Sequence, residues 1–112
     1  LGVVVDQIGT PTYAGDLASA LLEIIVKHDD AIINEIYHFS NEGVISWYDF
    51  AKTIMQEANL NCKVNPIESK DFPAKANRPF YSVLNKAKIK NDFNIEIPYW
   101  LDSLKMAINK LN

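Results

Sequence analysis

Arg78 is the residue whose type and setting best suit it to hold an anion. It is the only arginine in the chain, and the proline that follows restricts its backbone to extended conformations. A guanidinium grips phosphate through two parallel hydrogen bonds, whereas a lysine offers a point charge. Lys75, Phe80 and Tyr81 stand nearby in sequence and can add charge and a flat surface for a base. The competing reading is a surface arginine paired with a carboxylate. A second candidate is Tyr48-x-x-x-Lys52. On a helix this spacing puts both side chains on one face, and a lysine there can lower a tyrosine pKa for general-acid work. The pair lies on the polar flank of an apolar stripe with no phosphate loop before it, so it reads as a chance match. His28, His38 and Cys62 are too scattered to hold a metal. His28 fits a helix end, His38 fits a hydrogen-bonded structural role in an apolar strand, and Cys62 has no evident base to make it a nucleophile. Gly2, Gly9, Gly15 and Gly43 are the only glycines, and no pair has dinucleotide-loop or P-loop spacing.

Several elements must position these residues. Val3-Val4-Val5 predicts a strand, and Gln7 to Thr12 a turn-rich loop punctuated by Gly9 and Pro11. From Asp16 the apolar residues Leu17, Ala18, Leu21, Leu22, Ile24, Ile25 and Val26 predict a helix with a broad buried stripe. Asp16 sits at its positive end, and Lys27 in its last turn. Ile36 to Ser40 predicts a second strand, closed by the turn Asn41-Glu42-Gly43. Ser46-x-x-Asp49 is a capping-box variant opening a helix along Trp47, Phe50, Ala51, Ile54, Met55 and Ala58. Val64 to Ile67 predicts an edge strand, since Pro66 cannot donate to a ladder. The stretch from Glu68 to Pro79 reads as a long loop, a class that is usually functional or mobile. Asn85 is placed to cap a short helix that buries Ile89. Pro98 suits the first turn of a closing helix along Leu101, Leu104, Ile108 and Leu111, widened by Trp100 and Ala107. The order is α/β in character with three strands, too few for a self-sufficient doubly wound sheet.

The chain has 112 residues, 48% apolar and 22% charged, with a formal net charge of -3. That is one small domain or a piece of a larger one. Leu1 opens it inside an apolar run without an initiator methionine, so a fragment is expected. One cysteine cannot make an internal disulfide. No stretch approaches the roughly 18 apolar residues of a membrane span, and no signal segment opens the chain. A soluble, cytoplasmic protein without membrane association is expected. Residues 1–62 carry two bases against nine acids, and residues 63–112 nine bases against five acids. Seven of those bases lie between Lys63 and Lys90, a field that attracts an anionic ligand. Nucleic acid is the less favoured anion, because the chain is acidic overall and a scattered lysine set binds only at low salt.

Taken in order, these motifs resemble those of the dTDP-4-dehydrorhamnose reductases. They are Val5-Asp6-Gln7-Ile8-Gly9-Thr10-Pro11-Thr12 with Asp16-Leu17-Ala18; Ile36-Tyr37-His38-Phe39-Ser40; Ser46-Trp47-Tyr48-Asp49-Phe50-Ala51; Ala76-Asn77-Arg78-Pro79-Phe80-Tyr81-Ser82-Val83-Leu84; and Ile97-Pro98-Tyr99-Trp100. Asn77 stands where the family usually has a basic residue. The resemblance covers this chain but only the C-terminal portion of such an enzyme. It implies one substrate-binding region over 1–112, the C-terminal lobe of an extended short-chain dehydrogenase with few strands and packed helices. It further implies that the Rossmann lobe, the catalytic Tyr-x-x-x-Lys and the site for NADPH or NADH lie outside this chain, which then binds no cofactor and has no catalytic residue. Family members reduce the 4-keto group of dTDP-4-dehydro-L-rhamnose to dTDP-L-rhamnose. By match, Arg78 would hold the dTDP diphosphate, and Gln7, Pro11 and Thr12 would line the pocket. The expected partners are the dTDP-sugar and the missing lobe, and apolar surface left by that lobe would favour self-association. The alternative is a non-catalytic regulatory or partner-binding module on the same fold.

Overall fold

The computed structural model describes residues 1–27 and 35–111. Four short strands and four helices follow in the order β1 (Gly2–Val4), β2 (Ile8–Gly9), α1 (Ala14–Lys27), β3 (Ile45–Ser46), α2 (Trp47–Glu57), β4 (Asn65–Ile67), α3 (Ala87–Phe93) and α4 (Trp100–Leu111), with a 3₁₀ turn over Ser69–Asp71. The chain is mixed α/β, as its patterning predicts. His28, expected at a helix end, lies outside the described residues.

The expected three strands are arranged differently. β1 and β4 pair in parallel, Val4 opposite Ile67. Asn65 donates its amide to the Leu1 carbonyl and Val5 donates to Ile67, so this ladder skips Pro66 and its missing N–H costs nothing. Ile36 to Ser40 forms no strand. The segment alternates as a strand would, with Tyr37 and Phe39 packed on the core while Ile36 and His38 are exposed. It is held by side chains of α3 instead of by a ladder: Lys88 Nζ donates to the Ile36 carbonyl at 3.2 Å, and Tyr37 Oη to Asp92 at 3.1 Å. His38 is therefore a surface residue and not the hydrogen-bonded interior histidine expected. The loop from Gln7 to Thr12 contains a strand that was not expected, β2, paired antiparallel with β3.

The core consists of Ala20 and Ile24 from α1, Ile89 and Phe93 from α3, and Ile95 and Ile97 from the segment before α4. Only those two residues of α1 are buried. Leu21, Leu22, Ile25 and Val26 are half exposed or more, so the broad stripe read from the sequence mostly faces outward. The α2 cap forms as predicted: Ser46 Oγ accepts from the Asp49 amide at 3.0 Å and the Asp49 carboxylate accepts from the Ser46 amide at 3.1 Å. Asn85 Oδ1 accepts from the Ala87 amide at 2.9 Å at the start of α3, and Ile89 is buried. α4 begins two residues after Pro98 and buries Trp100, Ser103 and Leu104. Among the described residues, no helix is long and apolar enough to cross a membrane.

Candidate functional site

The site is organised around Ile8. Its amide donates to the Phe80 carbonyl at 2.8 Å, and its own carbonyl accepts from the Ser82 amide at 2.9 Å. These bonds stitch the segment just past Arg78 to the residue just past Gln7, across more than seventy positions of sequence. On its other side Ile8 pairs with Ser46, which places Trp47, the first residue of α2, beside the same strand. The loop between β4 and α3 is pinned at its start as well. Asp6 Oδ1 accepts from the Ser69 amide at 2.9 Å and from Ser69 Oγ at 2.7 Å. Gln7 Nε2 in turn donates to Ser69 Oγ at 2.9 Å. The Ser69 hydroxyl is the main reason the Asp6 carboxyl titrates below its ordinary range, with further help from the Ser69 amide.

These contacts shape a cleft of about 550 Å³ whose lining includes Gln7, Trp47, Phe72, Lys75 and Arg78. A neighbouring depression of about 520 Å³ shares Gln7, Phe72 and Arg78 and adds Phe80. Arg78 is thus brought to Gln7, as the sequence motifs require of a common site. Pro11 and Thr12 are placed elsewhere. They line a smaller cavity of about 110 Å³ with Asn41, Phe50, Trp100 and Ser103. Trp47 stands between the two regions, since it also borders a shallow recess containing Pro11.

On the cleft itself, two cations stand without an acidic partner among the described residues. Lys70 pairs with Glu68, Lys88 with Glu35, and Lys86 and Lys90 both with Glu42. Glu42 is held below the ordinary glutamate range, first by the hydrogen bond from Lys90 and then, against its own desolvation, by Lys86. Among the described residues, Lys75 and Arg78 form no ion pair. Two exposed cations without acidic partners lie on one cleft beside aromatic rings, a local field that attracts anions.

A second polar cluster lies beside the Pro11 and Thr12 cavity. Asn41 and Ser103, each 1% exposed, meet the carboxylate of Asp16 at the start of α1. Asn41 Nδ2 and Ser103 Oγ both donate to Asp16 Oδ2 at 2.5 Å, while the Tyr13 amide donates to Asn41 Oδ1 at 2.7 Å. Lys86, itself buried, donates to the Asn41 carbonyl at 3.0 Å. This ties the loop carrying Pro11 and Thr12 to α4 and α3. Asn41 reads in sequence only as a turn residue. Trp47 reads as part of an apolar helix stripe, and only its position directly after the Ser46 cap hints that it can project past the helix end.

Tyr48 and Lys52 do share a face of α2, with Lys52 Nζ 5.7 Å from the Tyr48 ring centre. Neither borders the Arg78 cleft; Lys52 lines a groove with Cys62. Among the described residues, no group of three metal-ligating side chains converges.

The sequence profile described as RmlD substrate binding domain matches residues 1–112. A dTDP-4-dehydrorhamnose reductase of Aggregatibacter actinomycetemcomitans is 44% identical over 117 residues, a match taking in 94% of this chain and 38% of that protein. The spore coat polysaccharide biosynthesis protein SpsK of Bacillus subtilis (strain 168) is 39% identical over 105 residues, covering 94% of this chain and 35% of that one. Among solved structures, the dTDP-4-dehydrorhamnose reductase of Bacillus anthracis in complex with NADP matches with a TM-score of 0.88 at 34% identity, covering 98% of this chain and 38% of that chain. This chain therefore spans under two fifths of the length of these relatives.

Proposed function

The chain belongs to the RmlD substrate binding domain family, and from that premise we propose that it is the sugar-nucleotide-binding portion of a dTDP-4-dehydrorhamnose reductase. In this reading the complete enzyme reduces the 4-keto group of dTDP-4-dehydro-L-rhamnose with NADPH or NADH. Arg78 takes the diphosphate, and Gln7, tethered through Ser69, lines the same cleft. Pro11 and Thr12 line a separate small cavity and are given no contact with the diphosphate. The observation that carries the reading is the pair of cations without acidic partners, Lys75 and Arg78, on the cleft that also contains Gln7. A diphosphate gives such a guanidinium two anionic acceptors in the geometry its donors match.

The nicotinamide cofactor falls to residues outside this chain. None of the four glycines forms a phosphate-cradling turn between a strand and a helix: Gly2 lies in β1, Gly9 in β2, Gly15 inside α1, and Gly43 against Tyr99 and Trp100. No hydride or proton step is assigned to Tyr48 or Lys52, and the chain on its own binds sugar nucleotide without turning it over. The missing lobe is then its principal partner.

Steady-state kinetics of Arg78→Ala in the complete gene product test the assignment. Loss of a charge-assisted pair of hydrogen bonds raises KM for the dTDP-sugar by roughly tenfold or more. A KM within a factor of two of the unsubstituted enzyme contradicts it.

A further inference from the structure

The Arg78 cleft has a flat wall as well as a charge. We propose that Trp47 is the platform on which the nucleobase of the bound nucleotide stacks, which makes it the residue that selects an aromatic-tailed diphosphate over a bare one. The inference rests on the reading that the cleft beside Arg78 holds the diphosphate.

Three observations support it. First, Trp47 is 49% exposed whereas Trp100 is 7% exposed, so one of the two indoles is placed in the core and the other is left open on the cleft. Second, its position is fixed. Trp47 follows directly on Ser46, which is 2% exposed, carries both bonds of the capping box and pairs with Ile8 in the β2–β3 ladder. Phe50 meets the indole in an edge-on arrangement, ring centres 6.4 Å apart. A ring held in this way loses little further freedom when a ligand arrives. Third, the partner groups are in place: Arg78 and Lys75 supply charge on the same cleft, and Phe72, 48% exposed, adds a second ring to its lining. A planar heterocycle linked to a diphosphate matches an aromatic face beside a guanidinium, since each base has a π-face and stacking tolerates differences in its hydrogen-bonding edge.

The competing occupant of this wall is an apolar side chain from another part of a longer protein, and leucine separates the two. Trp47→Leu preserves apolar volume and loses the ring, whereas Trp47→Phe preserves a ring. Calorimetric titration of the complete gene product with dTDP should show Trp47→Leu weakened roughly tenfold or more, and Trp47→Phe within about threefold of the unsubstituted protein. Arg78→Ala serves as the reference. If Arg78→Ala weakens dTDP binding while Trp47→Leu binds it as the unsubstituted protein does, the stacking platform is wrong and the diphosphate site stands. If neither substitution changes the affinity, the diphosphate site is wrong and the platform falls with it.

Discussion

Asn41 shows how much structure one buried amide can hold. It accepts from the Tyr13 amide, donates to Asp16 and lies within hydrogen-bond distance of Ser103, so it joins the loop before α1 to the first turn of α4. Replacing it by alanine leaves the Tyr13 amide without its acceptor and removes one of the two donors to the Asp16 carboxylate, in a part-buried cluster. Asn41→Ala should lower stability by about 2–3 kcal/mol, measured by urea unfolding; a loss under about 0.5 kcal/mol would show that the cluster relaxes without it. Arg78 stands out as a candidate in the sequence because its chemistry is unusual wherever it sits: one arginine, next to a proline, in a long loop. Asn41 does not, because its role lies in partners at positions 13, 16 and 103, and nothing local marks them. The same holds for Asp6, whose hold on Ser69 spans sixty-three positions. Acid sensitivity follows from these carboxylates. Asp6 and Glu42 both titrate below their ordinary ranges in the folded chain. Their contribution to stability is therefore complete above the unfolded carboxylate values, about 4, and is lost as pH falls through the lower folded values. Glu42→Gln should flatten the acid limb of a stability-against-pH curve, and an unchanged limb would mean that the Lys86 and Lys90 pairs contribute nothing.

The elements differ in how far local sequence determines them. α2 was legible to its first residue, since a capping box satisfies amides within four positions of itself. Ser46→Ala should cost about 1 kcal/mol and, because Ser46 also lies in the β2–β3 ladder, loosen the cleft wall; circular dichroism melts report the first effect. Pro66 was correctly placed on an edge. The segment Ile36 to Ser40 alternates like a strand yet finds no ladder, because α3 reaches it with Lys88 and Asp92 before any strand does. β2 was hidden for the opposite reason: Ile8 and Gly9 alone, between Gln7 and Thr10, carry no strand pattern, and pairing with β3 and Tyr81 makes the strand from outside. Gly43 was read as a turn residue, but packing constrains it further. Its φ is +103°, and a Cβ would stand 2.4 Å from Trp100 Cδ1. Gly43→Ala should therefore destabilise the chain by more than the roughly 1 kcal/mol of an ordinary glycine substitution.

At the scale of the whole molecule, the charge asymmetry is largely internal. Of the seven bases from Lys63 to Lys90, four pair with the chain's own acids, and of the other three Lys75 and Arg78 line the cleft. The apolar stripe of α1 resolves differently. Leu21, Leu22, Ile25 and Val26 form an open face larger than a soluble helix ordinarily presents. Expressed as these 112 residues, the chain should self-associate, and Leu22→Glu should shift light-scattering mass toward the monomer. A monomer at all concentrations would mean that the face is harmless on its own. The same chain should show no NADPH oxidation with dTDP-4-dehydrorhamnose, since the cofactor is assigned to residues beyond it; robust turnover would overturn that division of labour. The most direct test of the central claim is a crystal structure of the complete gene product with dTDP bound. The account predicts the diphosphate within about 3 Å of the Arg78 guanidinium, on the cleft shared with Gln7. A nucleotide seated elsewhere, with Arg78 facing solvent, would contradict it.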